Sequence, residues 1–281
     1  MNLRGRLSET AGGPGPYAGH SSGYSRRVLY GRAGGSVHQE AVIAELEPGG
    51  SVDLHLHAFE EAFYVIDGSL VLEATGAVER LGADDYGFID RGVAHALRND
   101  SDAAVRWFEA AAPQPGATLE DTVFVTGHAI PEGLERPYWR DHFDPADLPE
   151  PSGAILAGFE AANVDGAALK ILVGPATGAS QLNLMVVQYV PGGFITTHDH
   201  AFEEGFYFLE GEIEAELAGE THTLSAGDYC WSGVGDSHAL VNRSDKVVRW
   251  LETQAPQPPS RYQARFTAEW ERFLSDNQAH L

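Results

Sequence analysis

The chain has 281 residues, with 18 Lys and Arg against 41 Asp and Glu, giving a formal net charge of −23. That balance excludes a nucleic-acid backbone partner, which needs basic side chains to displace counterions, and it argues equally against an anionic membrane surface. A hydrophobic share of 43% and an aromatic share of 10% supply enough apolar surface for a packed core, so wholesale disorder is excluded.

In chain order, residues 1–35 are rich in Gly, Ser and Pro without periodicity, and read as an arm or a poorly ordered tail. Their opening, MNLRGRLSETAGG, has no apolar stretch of a secretory signal. No run of 18 apolar residues follows, so no membrane-spanning helix is expected and a cytoplasmic location is the default. Residues 36–115 carry short Val-, Phe-, Tyr- and Leu-rich runs: VHQEAVIAEL, EEAFYVI, SLVLEA, 77–81, 86–89, 94–98 and AVRWFEA. Residues 116–165 form a linker whose DTVFVTG predicts an edge strand. Its RPYWRDHFDPADLPEPSG has enough aromatics to pack on a surface. Residues 166–258 repeat the short runs: ALKILVG, QLNLMVVQYV, EEGFYFL, EIEAEL, THTLS, DYCWS, HALVN and KVVRWLET. Runs of this length bounded by Gly, Asp and Asn predict strands, and with almost no helix between them they predict an all-β sandwich or barrel. The one predicted helix lies in the tail 259–281, over Phe266 to about Gln278, with Phe266, Trp270 and Phe273 on one face to cover a barrel end or a subunit edge.

The second half repeats the first. HLHAFEEAFYVIDG at 55–68 returns as HDHAFEEGFYFLEG at 198–211, an offset of 143 residues. The same offset carries His95 to His238, Asn99 to Asn242, Arg106 to Arg249, Trp107 to Trp250, Glu109 to Glu252 and the segment APQP to its second copy. A unit this long is a domain rather than a solenoid repeat.

Six of the 12 histidines fall in register within the two copies. Residues two apart on a strand share a face, so His198 and His200 project together. Glu204 follows after a short corner, and His238 arrives from a distant strand. Three imidazoles and one carboxylate make a mononuclear divalent-metal site. The set suits Mn, Fe, Ni, Co, Cu or Zn, because imidazole and carboxylate are borderline-to-hard donors. The first copy holds the equivalent His55, His57, Glu61 and His95, so one or two ions per chain are expected. The single cysteine, Cys230, removes intrachain disulfides, Cys-based zinc sites and iron–sulfur clusters from consideration; it reads as a small buried thiol.

These spacings resemble a known family. Gly192 to Gly211 reads G-x5-H-x-H-x3-E-x6-G, and Gly227 to Asn242 reads G-x5-G-x-G-x2-H-x3-N. They are similar to the two motifs of the cupin superfamily, with Gly233 where the family usually has proline. The first copy matches the first motif from Gly49 to Gly68. In its second motif, Asp84 and Asp90 replace the first glycine and the proline, while His95 and Asn99 remain. The resemblance implies a bicupin: two tandem jelly-roll β-barrels, here followed by the short C-terminal helix.

Length and the long linker, with Asp147-Leu148-Pro149, further resemble the ureidoglycine aminohydrolase and glyoxylate-induced group of bicupins. That group releases ammonia from a small polar substrate using Mn in the C-terminal barrel. The chain departs from that group's E-x-H-x3-H ligand order and lacks its substrate lysine, carrying RWLETQAPQP instead. The complete 3-His-1-Glu set in both copies resembles oxalate decarboxylase and quercetin-dioxygenase-type bicupins. The expectation is therefore a metal-dependent enzyme acting on a small molecule, aminohydrolase-like, with a dioxygenase or a decarboxylase as alternatives and a non-catalytic metal- or ligand-binding cupin as the reading of another class. Arg249 is the candidate cation for an anionic substrate, against the alternative that it points outward. Glu252, repeated as Glu109, is a candidate hydrogen-bond acceptor beside the ligands or a general base. Phe206 and Phe208 share the face of Glu204 on a regular strand, with Tyr207 turned away. With Trp231 and Trp250 they predict an apolar lining. Exposed barrel edges predict a homodimer, since unpaired edge strands are normally covered.

Overall fold

The computed structural model describes residues 2–118, 120–125, 138–153, 162–259 and 263–267. Its strands are β1 (Asn2–Arg6), β2 (Ser21–Tyr30), β3 (Glu40–His57), β4 (Glu60–Asp67), β5 (Leu70–Ala74), β6 (Ala77–Leu81), β7 (Asp85–Ile89), β8 (His95–Arg98), β9 (Val105–Ala112), β10 (Thr122–Phe124) and β11 (Tyr138–His142). They continue as β12 (Val164–Val173), β13 (Asn183–Asp199), β14 (Glu203–Glu210), β15 (Glu212–Leu217), β16 (Glu220–Ser225), β17 (Asp228–Ser232), β18 (His238–Val241), β19 (Val248–Ala255) and β20 (Arg265–Phe266). Among the described residues no helix is long and apolar enough to cross a membrane.

The strands divide into two 10-stranded sheets of matching order. One runs β11-β7-β4-β9-β3-β8-β5-β6, with β2 and β10 also on β3. The other runs β1-β17-β14-β19-β13-β18-β15-β16, with β12 and β20 also on β13. Each curls over its own core, around Phe63, Leu46 and Trp107 in the first and around Phe208, Met185 and Trp250 in the second. This is the all-β, two-barrel architecture the repeat predicted. The compact units are not contiguous in sequence. The N-terminal barrel unit is Leu7–Asp147 with Ile171–Leu184, and the C-terminal unit is Met1–Arg6, Leu148–Lys170 and Met185–Leu281.

Three features differ from the sequence expectation. Residues 1–35 are not a loose arm. Asn2–Arg6 pairs antiparallel with Asp228–Ser232, and β2 pairs along β3 from Ser21 to Tyr30; backbone pairing supplies order that apolar periodicity did not announce. Second, β3 and β13 do not stop at their Pro-Gly-Gly segments but run on to the ligand histidines. Gly49 and Gly192, at φ 73° and 81°, let the strand bend where a side chain would be strained. Third, Phe266 is not the start of a helix: it lies on β20, opposite His198. The rest of the predicted helix, beyond Thr267, lies outside the described residues. In the linker, the DTVFVTG segment does contribute an edge strand, β10, and Tyr138–His142 pairs with β7.

The replaced motif glycine has a backbone explanation. Gly227 sits at φ 86°, and Asp84, which holds the same place in the first copy, sits at φ 68°. Aspartate is among the few side chains that tolerate this region. The Tyr64 hydroxyl donates to its Oδ1 at 2.6 Å.

Candidate metal centres

Each histidine cluster is assembled by strand register. His198 stands directly opposite His238 across β13 and β18, and His55 opposite His95 across β3 and β8. In both ladders the register shifts just before the pair, between Ile195 and His198 and between Val52 and His55. A bulge at that point re-aims the strand and turns the histidines inward. Glu204 is the second residue of β14, where its register partners are Gln254 on β19 and Ser232 on β17.

In the C-terminal barrel, ligand atoms of His198, His200, Glu204 and His238 all lie within 4.8 Å of one another, and all four residues are buried. Glu204 Oε2 is 2.9 Å from His238 Nε2 and 3.2 Å from His200 Nε2. The N-terminal barrel brings together three of its four candidates, His57, Glu61 and His95. Here Glu61 Oε2 is 3.0 Å from His57 Nε2 and 3.9 Å from His95 Nε2. His55 falls outside this close group, contrary to the symmetric expectation. Its ring lies 6.1 Å from that of His57, against 4.7 Å between His198 and His200. Tyr17, delivered by the N-terminal segment, packs 5.1 Å from His55, a neighbour the repeat could not reveal.

The donor chemistry fits a cation. All six imidazoles donate Nδ1–H to a backbone carbonyl: His198 to Thr196 at 2.8 Å, His200 to Gln263 at 2.5 Å and His238 to Asp236 at 3.1 Å. His55 donates to Asp53 at 2.8 Å, His57 to Phe59 at 2.8 Å and His95 to Val93 at 3.0 Å. Those bonds select the tautomer whose Nε2 lone pair faces inward, the usual orientation of a metal-bound histidine. The Nε2 atoms of His55, His95 and His200 are buried without a hydrogen-bond partner, a costly arrangement that a metal ion would relieve.

Electrostatics point the same way. Burial, reinforced by its histidine neighbours, holds His198 well below the ordinary imidazole range. Burial takes His95 down to about 4. Burial alone would raise Glu204, but His200 and His238 outweigh it and hold the carboxylate well below its usual range. A neutral imidazole at His198 and an ionised Glu204 are protonation states that metal binding requires. At His200 burial alone would lower the imidazole, but the charge of Glu204 outweighs it and holds the group above its ordinary range, so an ion would have to displace that proton.

The two other candidate site residues separate. Glu252 lines the C-terminal cavity beside Glu204, His198, His200 and His238. It is not a solvated outer residue: it is 8% exposed and accepts from Trp250 Nε1 at 3.0 Å. Burial, then the charge of Glu204, raises its carboxyl well above the usual range. Its repeat, Glu109, accepts from Trp107 Nε1 at 3.3 Å and is pushed up to about 8, first by burial and then by Glu61. Arg249 does not line the cavity. Trp250, Glu252 and Gln254 occupy the inward face of β19, so the alternation sends Arg249 to the other face. There it donates to Gln188 Oε1 at 2.7 Å and pairs with Glu210 at 3.0 Å.

One site residue escaped the sequence reading. The Gln254 amide donates to Glu204 Oε1 at 2.9 Å and to Glu252 Oε1 at 3.2 Å, linking the two carboxylates. The available signal was its spacing, two residues beyond Glu252 on one strand. The rest of the cavity wall includes Phe202, Phe206, Tyr189 and Trp250. Phe208 packs in the core instead, and Trp231 is not among the lining residues. Cys230 is a buried free thiol, as expected.

A family model described as a cupin domain matches residues 42–110 and again residues 185–253. Among solved structures, the fold is similar to an oxalate decarboxylase of Lactobacillus farciminis in its formate complex, with a TM-score of 0.69 and 18% identity, covering 100% of this chain and 94% of that one. It is also similar to the putative glyoxylate-induced protein from Pseudomonas aeruginosa, with a TM-score of 0.64 and 20% identity over 85% of this chain and 83% of that one. Protein Ylba from E. coli gives 0.65 at 15% identity, covering 90% of each chain. These identities establish a shared fold, and a fold does not carry a function with it. The tetracenomycin polyketide synthase protein TcmJ of Streptomyces glaucescens is 40% identical over 63 residues, spanning 22% of this chain and 42% of that relative's length.

Proposed function

Because the chain belongs to the cupin superfamily, with two such domains in tandem, we propose that its C-terminal barrel is a metal-dependent enzyme centre acting on a small, uncharged polar substrate, by C–N hydrolysis of the aminohydrolase type. One observation carries the reading. Among the described residues lining that cavity there is no arginine or lysine, whereas Glu204, Glu252 and Gln254 are all present. A dianion such as oxalate would find no counter-charge from a side chain. A substrate bearing amide or amine N–H groups would find acceptors. The cavity, at about 50 Å³, has room for only a few heavy atoms, since one water needs roughly 10–15 Å³ by the same measure.

His198, His200, Glu204 and His238 would hold the divalent ion, manganese or iron foremost. When bound, the ion would supply Lewis acidity toward a substrate oxygen or a water. Gln254 fixes the outer oxygen of Glu204, leaving the other toward the imidazoles. Glu252, held by Trp250 and Gln254, offers a buried hydrogen-bonding carboxyl toward the substrate. Phe202, Phe206 and Trp250 exclude bulk water.

The apolar wall favours a second reading, an O₂-dependent dioxygenase. Metal analysis combined with a substrate screen separates the two. Manganese with ammonia release from a ureido or amide substrate supports hydrolysis, whereas iron with O₂ uptake overturns it. Purified protein that never retains a metal ion argues against both and leaves a non-catalytic binding protein. Assembly as a homodimer is part of the proposal and is read by sedimentation.

A further inference from the structure

The N-terminal barrel unit contains a cavity of about 850 Å³ that is not lined by His55, His57, Glu61 or His95. Its size lies in the range of sites for drug-sized ligands, far above the C-terminal cavity. Tyr17, Phe59, Val42 and Ala111 form apolar wall. Tyr17 also packs 5.1 Å from the His55 ring, which marks the side nearest the metal cluster.

Arg26 projects into this space from β2. In the second copy the position 143 residues on is Leu169, so the arginine is a departure between the halves. Its side chain is 8% exposed and ion-paired with Glu40 through one terminal nitrogen. Its Nε is buried with no hydrogen-bond partner. A buried donor left unmatched costs about 1–3 kcal/mol, which a ligand oxygen would recover. Charge decides which oxygen. Glu40 already balances Arg26, and the other cation of the lining, Arg32, is exposed and donates to the Pro115 carbonyl at 3.1 Å, so a carboxylate at Arg26 Nε would meet no unbalanced buried charge. A neutral carbonyl needs only the donor.

We propose that this cavity binds an apolar organic molecule carrying a neutral carbonyl group, a ketone, quinone or ester, whose oxygen accepts from Arg26 Nε. The site is separate from the C-terminal centre and stands or falls without it.

Equilibrium dialysis of the full chain against three naphthalene probes that differ only in the 2-substituent tests this: 2-acetonaphthone, 2-ethylnaphthalene and 2-naphthoate. The ketone is expected to bind saturably and about ten-fold tighter than the ethyl compound, the order of one added hydrogen bond, and tighter than the carboxylate. Arg26→Lys keeps the charge opposite Glu40 but removes Nε–H, and should abolish the ketone preference. Arg26→Leu, which installs the residue of the second copy, should do the same. Absence of saturable ketone binding, equal affinity for ketone and ethyl probes, a preference for naphthoate, or a ketone preference that survives in Arg26→Lys would each overturn the proposal.

Discussion

Gln254 lies directly opposite Glu204 across β14 and β19 and donates to its Oε1 at 2.9 Å. The first copy has Ala111 at that position, opposite Glu61, so only one of the two clusters has its carboxylate held this way. Substituting Gln254 with Ala should weaken C-terminal metal affinity or turnover about 10- to 100-fold, the usual effect of losing a group that orients a ligand, while leaving the circular dichroism spectrum intact. Unchanged metal content and turnover would show that Glu204 needs no such support.

His200→Ala should lower metal affinity at the C-terminal site by more than about ten-fold, because one of four ligands is lost. Plasma mass spectrometry of purified wild type and variant reads this directly. Equal metal content would show that His200 is not a ligand.

Arg249→Leu should leave metal content and turnover within about two-fold of wild type, since the side chain points away from the cavity toward Gln188 and Glu210. Its stability cost should be near or below about 1 kcal/mol, as for other partly solvated ion pairs. A large loss of activity with normal folding would place Arg249 back among the working residues.

Gly87 and Cys230 are repeat equivalents, but the first cannot accept the second's side chain. A Cβ at Gly87 would stand 2.5 Å from the Phe63 ring and 2.5 Å from the Trp139 carbonyl oxygen. Because a backbone atom is involved, Gly87→Cys should destabilise the chain by about 1–3 kcal/mol through overpacking. Denaturant unfolding measures it, and a neutral result would mean β11 shifts freely on β7.

Arg6 on β1 donates to Asp228 on β17 at 2.7 Å. Burial alone would raise Asp228, but Arg6 and the Ser225 backbone hold it below its usual range. A carboxylate with a lowered folded-state pKa adds stability that is fully present above the unfolded value, near 4, and is lost as pH falls through the folded one. Asp228→Asn should therefore be less stable than wild type by about 1 kcal/mol at pH 7, a modest figure because Arg6 is half exposed. The gap should close toward pH 3. A gap that stays constant with acidification would assign the effect to packing rather than charge.

The duplicated motif made the two barrels and eight candidate ligands legible because a jelly roll brings its ligands from fixed places on alternating strands. Glu252 was visible as a carboxylate within an apolar strand, but its direction was not. Strand alternation makes one of Arg249 and Glu252 inward only once the phase of β19 is known, and register with β14 sets that phase. Phe266 shows the same limit: a helical pattern of three aromatics was outweighed, at its first residue, by pairing with His198.

By itself the sequence determined the fold class and the duplication and named the candidate metal donors, all but His55 of which fall in the two close clusters, since these rest on residue type and spacing along the chain. The tertiary structure decided what differs between the copies. Tyr17 stands beside His55, Arg26 enters one cavity where Leu169 lines the other, and Gln254 bridges two carboxylates in one barrel alone. Such neighbours come from segments far apart in sequence, so only packing and register could bring them together.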